Sequence, residues 1–540
     1  MRSPPGAALG KRCAGFLCLA LTIFVLLSSC SGSGNRGAAR DRIVVGMPWE
    51  PRSFDPFNSV DSASYYAQSL IYEALVRFDT DLQVEGALAE RFEVLDGGRR
   101  YRFVLKKACF SDGVPVKSSD VRASVAAALG KKSPFRRNYD VIEKCLVLDD
   151  GTIEMALKRP DLTLPERLTE LKILPERVLA ESGKERSLAR HPIGTGPYRL
   201  GKWIPGVQLE FEPNPAYHGR EQENVVERQK IVWRVIPDRR AIAMALIRKE
   251  IDVAQVDGRD AKELADSGAD LVIENAPGSR TVFLGFNTSE WPFDQKRVRQ
   301  ALSMMVDRDE IARELYGGYC VVPRTDFLEE PGGEAEIKSW PYDPAAAAKL
   351  LGSEGFVRDS DGAWTSPSPS SGRERLSMRI LTLRDFLDVA QAVASYLQKC
   401  GVLCEVSVVE YATLKDQYLK QGDYDVVLFS RTVGPWPDFR MVWSSTGSLN
   451  YSKFHNYELD RLIRLAIEAG DKKTMQRYCL AVRSILAEEQ PWIFLAQPRL
   501  LLVHQSRVQG VLPAASAQNS RKSLPWDNPF FNARFWRTGD

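Results

Sequence analysis

The chain has 540 residues, of which 44% are apolar and 26% charged, and its formal net charge is +3. Arg2, Lys11 and Arg12 stand in the opening segment, and the rest of the chain holds 70 basic against 70 acidic side chains, a neutrality that argues against a general nucleic-acid surface. Nine cysteines scattered over this length do not make a disulfide scaffold.

An apolar run of 15 residues, 13 to 27, follows the basic start. It falls short of the ~20 residues that span a bilayer and ends in small residues, so residues 1–29 read as a cleaved signal. The run closes with Leu27-Ser28-Ser29-Cys30, which resembles the lipobox of a bacterial lipoprotein signal. That resemblance implies that the Cys30 thiol is diacylated and becomes the first residue of the mature chain, while Cys13 and Cys18 leave with the signal. The other reading, an ordinary signal peptide with an incidental cysteine, makes the protein free rather than anchored. Cleavage before Cys30 leaves 511 residues, more than one core organises, so two or three domains are expected. No second apolar run approaches membrane length.

A Ser/Gly-rich stretch completes a flexible tether over 30–41. The body opens with a strand over 43–46 and then alternates strands with amphipathic helices, the pattern of an α/β protein. Several helices announce their ends. One follows Asp307 and stops at Gly317. Another has Asp343 as N-cap, Pro344 at its first position and Leu350 and Leu351 facing the core, and it stops before Gly355. A third runs over 385–399 to Gly401, and a strand follows over 404–409. The Ser/Pro-rich stretch 366–372 reads as a loop. Cys109 and Cys145 lie in adjacent strand-like segments that can pair, against the plainer reading of buried or incidental thiols. Cys400 and Cys404 lack zinc-site spacing.

A series of blocks then accumulates in order: Ser53-Phe54-Asp55-Pro56, Tyr72-Glu73-Ala74-Leu75, Leu88-Ala89-Glu90, Tyr101-Arg102-Phe103-Val104-Leu105-Lys106, and Phe110-Ser111-Asp112-Gly113. The sharpest is Ile193-Gly194-Thr195-Gly196-Pro197-Tyr198, with Asn214-Pro215-Ala216-Tyr217 after it. Glu250-Ile251-Asp252-Val253-Ala254, Phe286-Asn287-Thr288 and Val298-Arg299-Gln300-Ala301-Leu302 follow, and Asn450-Tyr451-Ser452 closes the series. Each block alone is weak. Together, the chain resembles the bacterial extracellular solute-binding proteins of the oligopeptide, dipeptide and nickel type, family 5, over almost all its mature length. Gly194-Thr195-Gly196-Pro197 has no lysine at P-loop spacing and reads as a tight turn entering a strand at Tyr198. The sequons at Asn287 and Asn450 read as chance.

The resemblance implies an α/β, periplasmic-binding-protein-like receptor of class II, with two lobes joined by a hinge and an extra inserted domain. Lobe I is expected over 42–72, 189–281 and 507–540, the inserted domain over 73–188 and lobe III over 282–506. Closure of such a receptor excludes water from the ligand, and a permease reads the closed state. The implied partners are a short peptide or similar solute, an ABC permease with its ATPase subunits, and a membrane reached through the lipid on Cys30. The chain is expected to be a monomer in the cell envelope, to bind no nucleic acid and to need no cofactor.

In the family's peptide receptors one cleft wall follows the Asp-Pro turn, which maps here to Val60, Asp61 and Ser62. The facing wall maps to 425–430 followed by Arg431, Thr432, Val433 and then Trp436. Extended backbone on both sides can pair with a peptide main chain. Asp61 has a second reading, as N-cap of a helix starting near Ala63. Arg431 either grips a ligand carboxylate through two hydrogen bonds or is a solvated or Asp438-paired arginine. Trp436 either stacks on the ligand or fills the hinge. The family's amine-binding aspartate maps to Pro435, which carries no charge. Arg431-Thr432-x-Gly434 is closer to the Arg-Thr-Trp-Gly of nickel-type receptors, yet Val433 replaces the tryptophan, Pro437 an aromatic and Arg440 a histidine.

No H-E-x-x-H and no G-x-S-x-G occurs, and the four histidines, 191, 218, 455 and 504, are far apart. The chain is therefore expected to be no enzyme but a substrate-binding lipoprotein of an ABC importer for short peptides. The runner-up is a nickel or metallophore receptor of the same family, and a peptide-acting enzyme comes last.

Overall fold

The computed structural model describes residues 41–79, 81, 83–131, 133–180, 185–219, 229–325, 337–368, 372–434, 439–512 and 525–539. The expected signal, the tether up to residue 40 and the lipidation residue Cys30 lie outside these residues. Residues 43 to 540 form one compact unit.

Three sheets organise it. A seven-stranded sheet runs in the order Leu271–Ala276, Leu500–Gln505, Val253–Val256, Arg42–Met47, Lys230–Val235, Gln208–Pro213, Tyr198–Ile204. Arg42–Met47 pairs in parallel with Val253–Val256; Leu500–Gln505 is antiparallel to both Val253–Val256 and Leu271–Ala276, and Gln208–Pro213 is antiparallel to both Lys230–Val235 and Tyr198–Ile204. A six-stranded sheet runs Cys320–Val321, Trp492–Pro498, Arg280–Phe286, Val426–Thr432, Ser377–Thr382, Leu403–Val408. Its central strands, with sequences such as Ile493-Phe494-Leu495-Ala496, are covered on both faces and are therefore nearly continuous in apolar residues. The third sheet is antiparallel, in the order Ala89–Leu95, Arg100–Leu105, Thr152–Leu157, Ile142–Asp149. Along Arg100–Leu105 buried Tyr101, Phe103 and Leu105 alternate with more exposed neighbours, as a sheet packed on one face requires.

The helix ends follow the expected chemistry. Asp307 caps Arg308–Leu315 by accepting from the Glu310 N–H at 2.9 Å, and Asp343 caps Pro344–Ser353 through the Ala346 N–H at 2.9 Å. Leu387–Lys399 ends just before Gly401, and Leu403–Val408 follows as a strand. Residues 366–368 and 372 of the stretch expected as a loop are strand instead. Trp364–Ser368 and Gly372–Arg375 pair as a hairpin, and Pro367 sits past the end of the pairing with Val357–Arg358, where no second strand needs its missing N–H. Cys109 and Cys145 do not pair: they, with Cys320, Cys400 and Cys404, are free thiols. Asn287 is fully buried, its amide donating to Gly422 and Tyr424 carbonyls at 3.0 Å, so this sequon is a core position.

The Gly194-Thr195-Gly196-Pro197 turn packs on the end of the helix Ser62–Ile71. Gly196 donates its N–H to the Ile71 carbonyl at 2.7 Å, and a Cβ on Gly194 would stand 2.2 Å from that oxygen. Glycine is required there by close approach of two backbones, not by a phosphate.

The chain passes between the seven- and six-stranded sheets twice, at residues 277–279 and at Arg499. The two passages touch. Gln497 Nε2 donates to the Gly278 carbonyl at 2.7 Å, and a Cβ on Gly278 would lie 1.8 Å from the Pro498 oxygen. The C-terminal stretch returns to the same point, where the Asp527 carboxylate accepts the Ser279 N–H at 2.6 Å.

Candidate functional site

The site begins at the Asp-Pro turn. Asp55 builds it, accepting from the Phe57 N–H at 2.9 Å and from the Asn58 amide at 2.7 Å, while the Ser59 hydroxyl donates to the Asp55 carbonyl. Gln68 holds the turn to the following helix by donating to the Ser59 hydroxyl at 2.7 Å and to the Ser53 carbonyl. Asp61 then caps Ser62–Ile71, accepting the Ser64 N–H at 2.9 Å. Its carboxylate is thereby engaged by the helix, which is the capping reading of this residue.

This turn forms one side of a cavity of about 220 Å³. Val60, Asp61 and Ser62, all expected as ligand contacts, line it together with Phe57, Tyr65 and Gln68. Val60 is 73% exposed and stands at its rim. The opposite side is made by Ala128, Phe135, Asn138, Tyr139, Glu170, Leu171 and Lys172, and Trp526 adds a wall from the far end of the chain. The lining is thus largely apolar with a few charged and amide groups, as small-molecule sites are.

Two groups set its electrostatics. The Tyr65 hydroxyl donates to Glu170 Oε1 at 3.1 Å, and burial together with that carboxylate pushes the phenol well above its ordinary pKa. Lys172 is only 8% exposed, and its ammonium donates to the Thr169 carbonyl at 3.2 Å. Tyr65, Glu170 and Lys172 also line an adjoining cavity of about 120 Å³. Trp526 and Asp527 both have left-handed backbone, φ +56° and +52°, a conformation that costs energy for residues with a Cβ. The Trp526 carbonyl accepts from the Tyr66 hydroxyl at 3.3 Å.

The second expected wall lies elsewhere. In Val426–Thr432, Arg431 is paired with Thr281 and Thr432 with Arg280 in the six-stranded sheet. On the other edge the pairing with Ser377–Thr382 reaches only Leu428, and beyond it no strand pairs among the described residues. Arg431 is half-buried and Thr432 exposed. Val433 is 2% exposed within an apolar cluster that includes Phe439 and Trp443, and its N–H donates to the Ser279 carbonyl at 2.7 Å. None of the three lines the cavity at Val60. Pro435, Pro437, Asp438 and the expected contact Trp436 lie outside the described residues. Ser279 nevertheless links the two regions, holding Val433 by its carbonyl and Asp527 by its N–H.

The sequence reading missed Tyr65, Phe135, Tyr139, Glu170, Lys172 and Trp526. The one local signal was Lys172 inside the apolar run Leu171-Lys172-Ile173-Leu174, an unusual place for an ammonium. Among the histidines, His218 stands 3.1 Å from buried Glu73, and the His504 ring is 3.0 Å from the Gln505 carbonyl. Among the described residues no three His, Cys, Asp or Glu side chains are grouped to hold a metal.

Residues 83–453 match the bacterial extracellular solute-binding proteins, family 5, middle region. The chain is 26% identical over 526 residues to the oligopeptide-binding protein AppA of Bacillus subtilis, covering 92% of this chain and 95% of that one. The solved structure of that AppA in complex with a nonapeptide matches with a TM-score of 0.74 at 24% identity, covering 92% of this chain and 99% of the other. NikZ from Campylobacter jejuni in complex with Ni(L-His) matches with a TM-score of 0.78 at 23% identity, covering 92% and 100%. At these identities the two structures establish the α/β binding-protein fold alone. Members of such a family bind solutes outside the cytoplasm. The chain belongs to family 5 of the bacterial extracellular solute-binding proteins.

Proposed function

We propose that this protein is the solute-binding component of an ABC importer, capturing short peptides and delivering them to a membrane permease and its ATPase subunits. The observation that carries the reading is the near full-length likeness to an oligopeptide-binding protein. Two local features support it: an apolar cavity beside the Asp-Pro turn, and a strand, Val426–Thr432, one edge of which no strand pairs beyond Leu428 among the described residues, so that an extended peptide main chain can add there. Arg431 and Thr432 are assigned to that edge, and Val60 and Ser62 to the cavity.

The proposed division keeps an inserted domain over 73–188, built on the four-stranded sheet, and a lobe I around the seven-stranded sheet. Leu500–Gln505 pairs within that sheet, so the return from lobe III is drawn at Arg499. The receptor is proposed to act as a monomer, tethered by lipid on Cys30 so that it stays near its permease. Membrane partition of the wild type and release of Cys30→Ser as a competent binder is the expected pattern for the anchor.

The decisive test of the solute is native mass spectrometry of the protein purified from its own cells, with identification of what it carries. Peptides in the bound fraction support the proposal. A metal chelate without peptide replaces it with the nickel or metallophore reading, and turnover of added peptides without retention replaces it with an enzyme.

A further inference from the structure

We propose that Lys172 is the anchor for a ligand carboxylate, so that this receptor selects solutes carrying a free carboxylate at the end that enters the cavity beside the Asp-Pro turn. The proposal deepens the peptide-binding reading and rests on it. Lys172 is 8% exposed yet lines both adjoining cavities. A lysine ammonium has several N–H donors, and among the described residues the one hydrogen bond it makes is to the neutral Thr169 carbonyl. The Tyr65 ring is its other neighbour, at 5.8 Å to the centroid. Buried charges are normally paired, because desolvation is otherwise uncompensated.

The acids of the cavity do not supply that pairing. Asp61 is taken by the helix N-terminus, and Glu170 accepts the Tyr65 hydroxyl. No ion pair joins Lys172 to any acid among the described residues. A carboxylate arriving in a space of about 220 Å³ meets an ammonium already largely desolvated, in a lining where Phe57, Phe135, Tyr139 and Trp526 supply apolar surface that strengthens a charge-assisted contact. Arg431, for which a carboxylate partner is one of two readings from the sequence, does not line this cavity, so the acid-binding role is placed at the apolar run 171–174.

The test uses the full chain, as wild type, Lys172→Met and Lys172→Arg, with folding of each checked by circular dichroism. The probes are matched synthetic tripeptides to pentapeptides supplied as free acids and as C-terminal amides, with binding measured by calorimetry. The wild type is expected to prefer free acids by about ten-fold or more, the worth of one charge-assisted hydrogen bond. Lys172→Met should lose the preference and Lys172→Arg keep most of it. A preference that survives in Lys172→Met, or that is absent from the wild type while peptides bind, overturns the proposal. If no peptide binds the wild type, the peptide reading itself fails. The same three proteins are then titrated with citrate and succinate, and Lys172-dependent stabilisation sustains the carboxylate anchor whereas its absence rejects it.

Discussion

Asp527 should make the junction between the two large sheets less stable at neutral pH than in mild acid, and Asp527→Asn should remove that dependence. Asp527 is half-buried, and burial pushes its carboxyl pKa up to about 6, although the Ser279 N–H and the Arg280 charge pull the other way. The ordinary aspartate value is 3.8, so the folded state holds this proton more tightly than the unfolded state. Stability from this group is therefore fully present below about pH 4 and is lost as pH rises through about 6, after which it stays level. A shift of about two pKa units corresponds to roughly 3 kcal/mol. Asparagine mimics the protonated acid and can still accept the Ser279 N–H. Urea unfolding followed by tryptophan fluorescence suits this region, because Trp526 is adjacent and Trp233 stacks on Phe530. At pH 8 Asp527→Asn is expected to be more stable than wild type by about 2–3 kcal/mol, and at pH 4 the two should agree within about 0.5 kcal/mol. If the variant is equal to or weaker than wild type at pH 8, Arg280 and Ser279 compensate the buried charge fully and the reasoning fails.

The inserted stretch offers a test of opposite sign. Asp161 and Arg167 form a buried pair at 2.6 Å; burial raises the acid, but the Arg167 charge and hydrogen bonds outweigh it and leave the pKa below its ordinary value. The stability this pair brings is present above the usual carboxylate range and is lost as pH falls through the lowered value. Asp161→Ala strands the arginine and should cost about 3–4 kcal/mol. Residues 73–188 contain no tryptophan, so hydrogen exchange in Thr152–Leu157 is the suitable readout, and unchanged protection would remove the pair from the account of this region's stability. At the junction, Gly278→Ala places a methyl 1.8 Å from the Pro498 oxygen and must push the two passages apart. A loss of about 2–3 kcal/mol in thermal unfolding is expected, and a neutral result would mean that the junction yields freely.

Much of the local architecture was readable from the chain. Asp61, Asp307 and Asp343 are placed where an acidic side chain meets the first N–H groups of a helix, and each caps one. The Gly194-Thr195-Gly196-Pro197 block read as a turn, and its glycines prove to be the spacers that let it touch Ile71. The Ser/Pro-rich hairpin was misread because turn-forming composition describes single residues, whereas strand pairing at 364–375 depends on what lies alongside.

The sequence by itself determined the family, the alternation of strands and helices, and the turn and helix start at 55–62 that line the candidate cavity, because ordered motifs and caps act over a few neighbouring residues. Only the tertiary structure decided what that wall faces. It brings Phe57, Lys172 and Trp526 around one cavity, although most of the chain separates the first from the last. It also sinks Val433 into the core, while among the described residues no strand pairs with one edge of the preceding strand beyond Leu428. The physical reason is that desolvation and partnership belong to a place in the fold. A lysine at position 172 is an ordinary cation in the sequence, and it becomes a buried charge with one neutral acceptor only when three distant segments close over it.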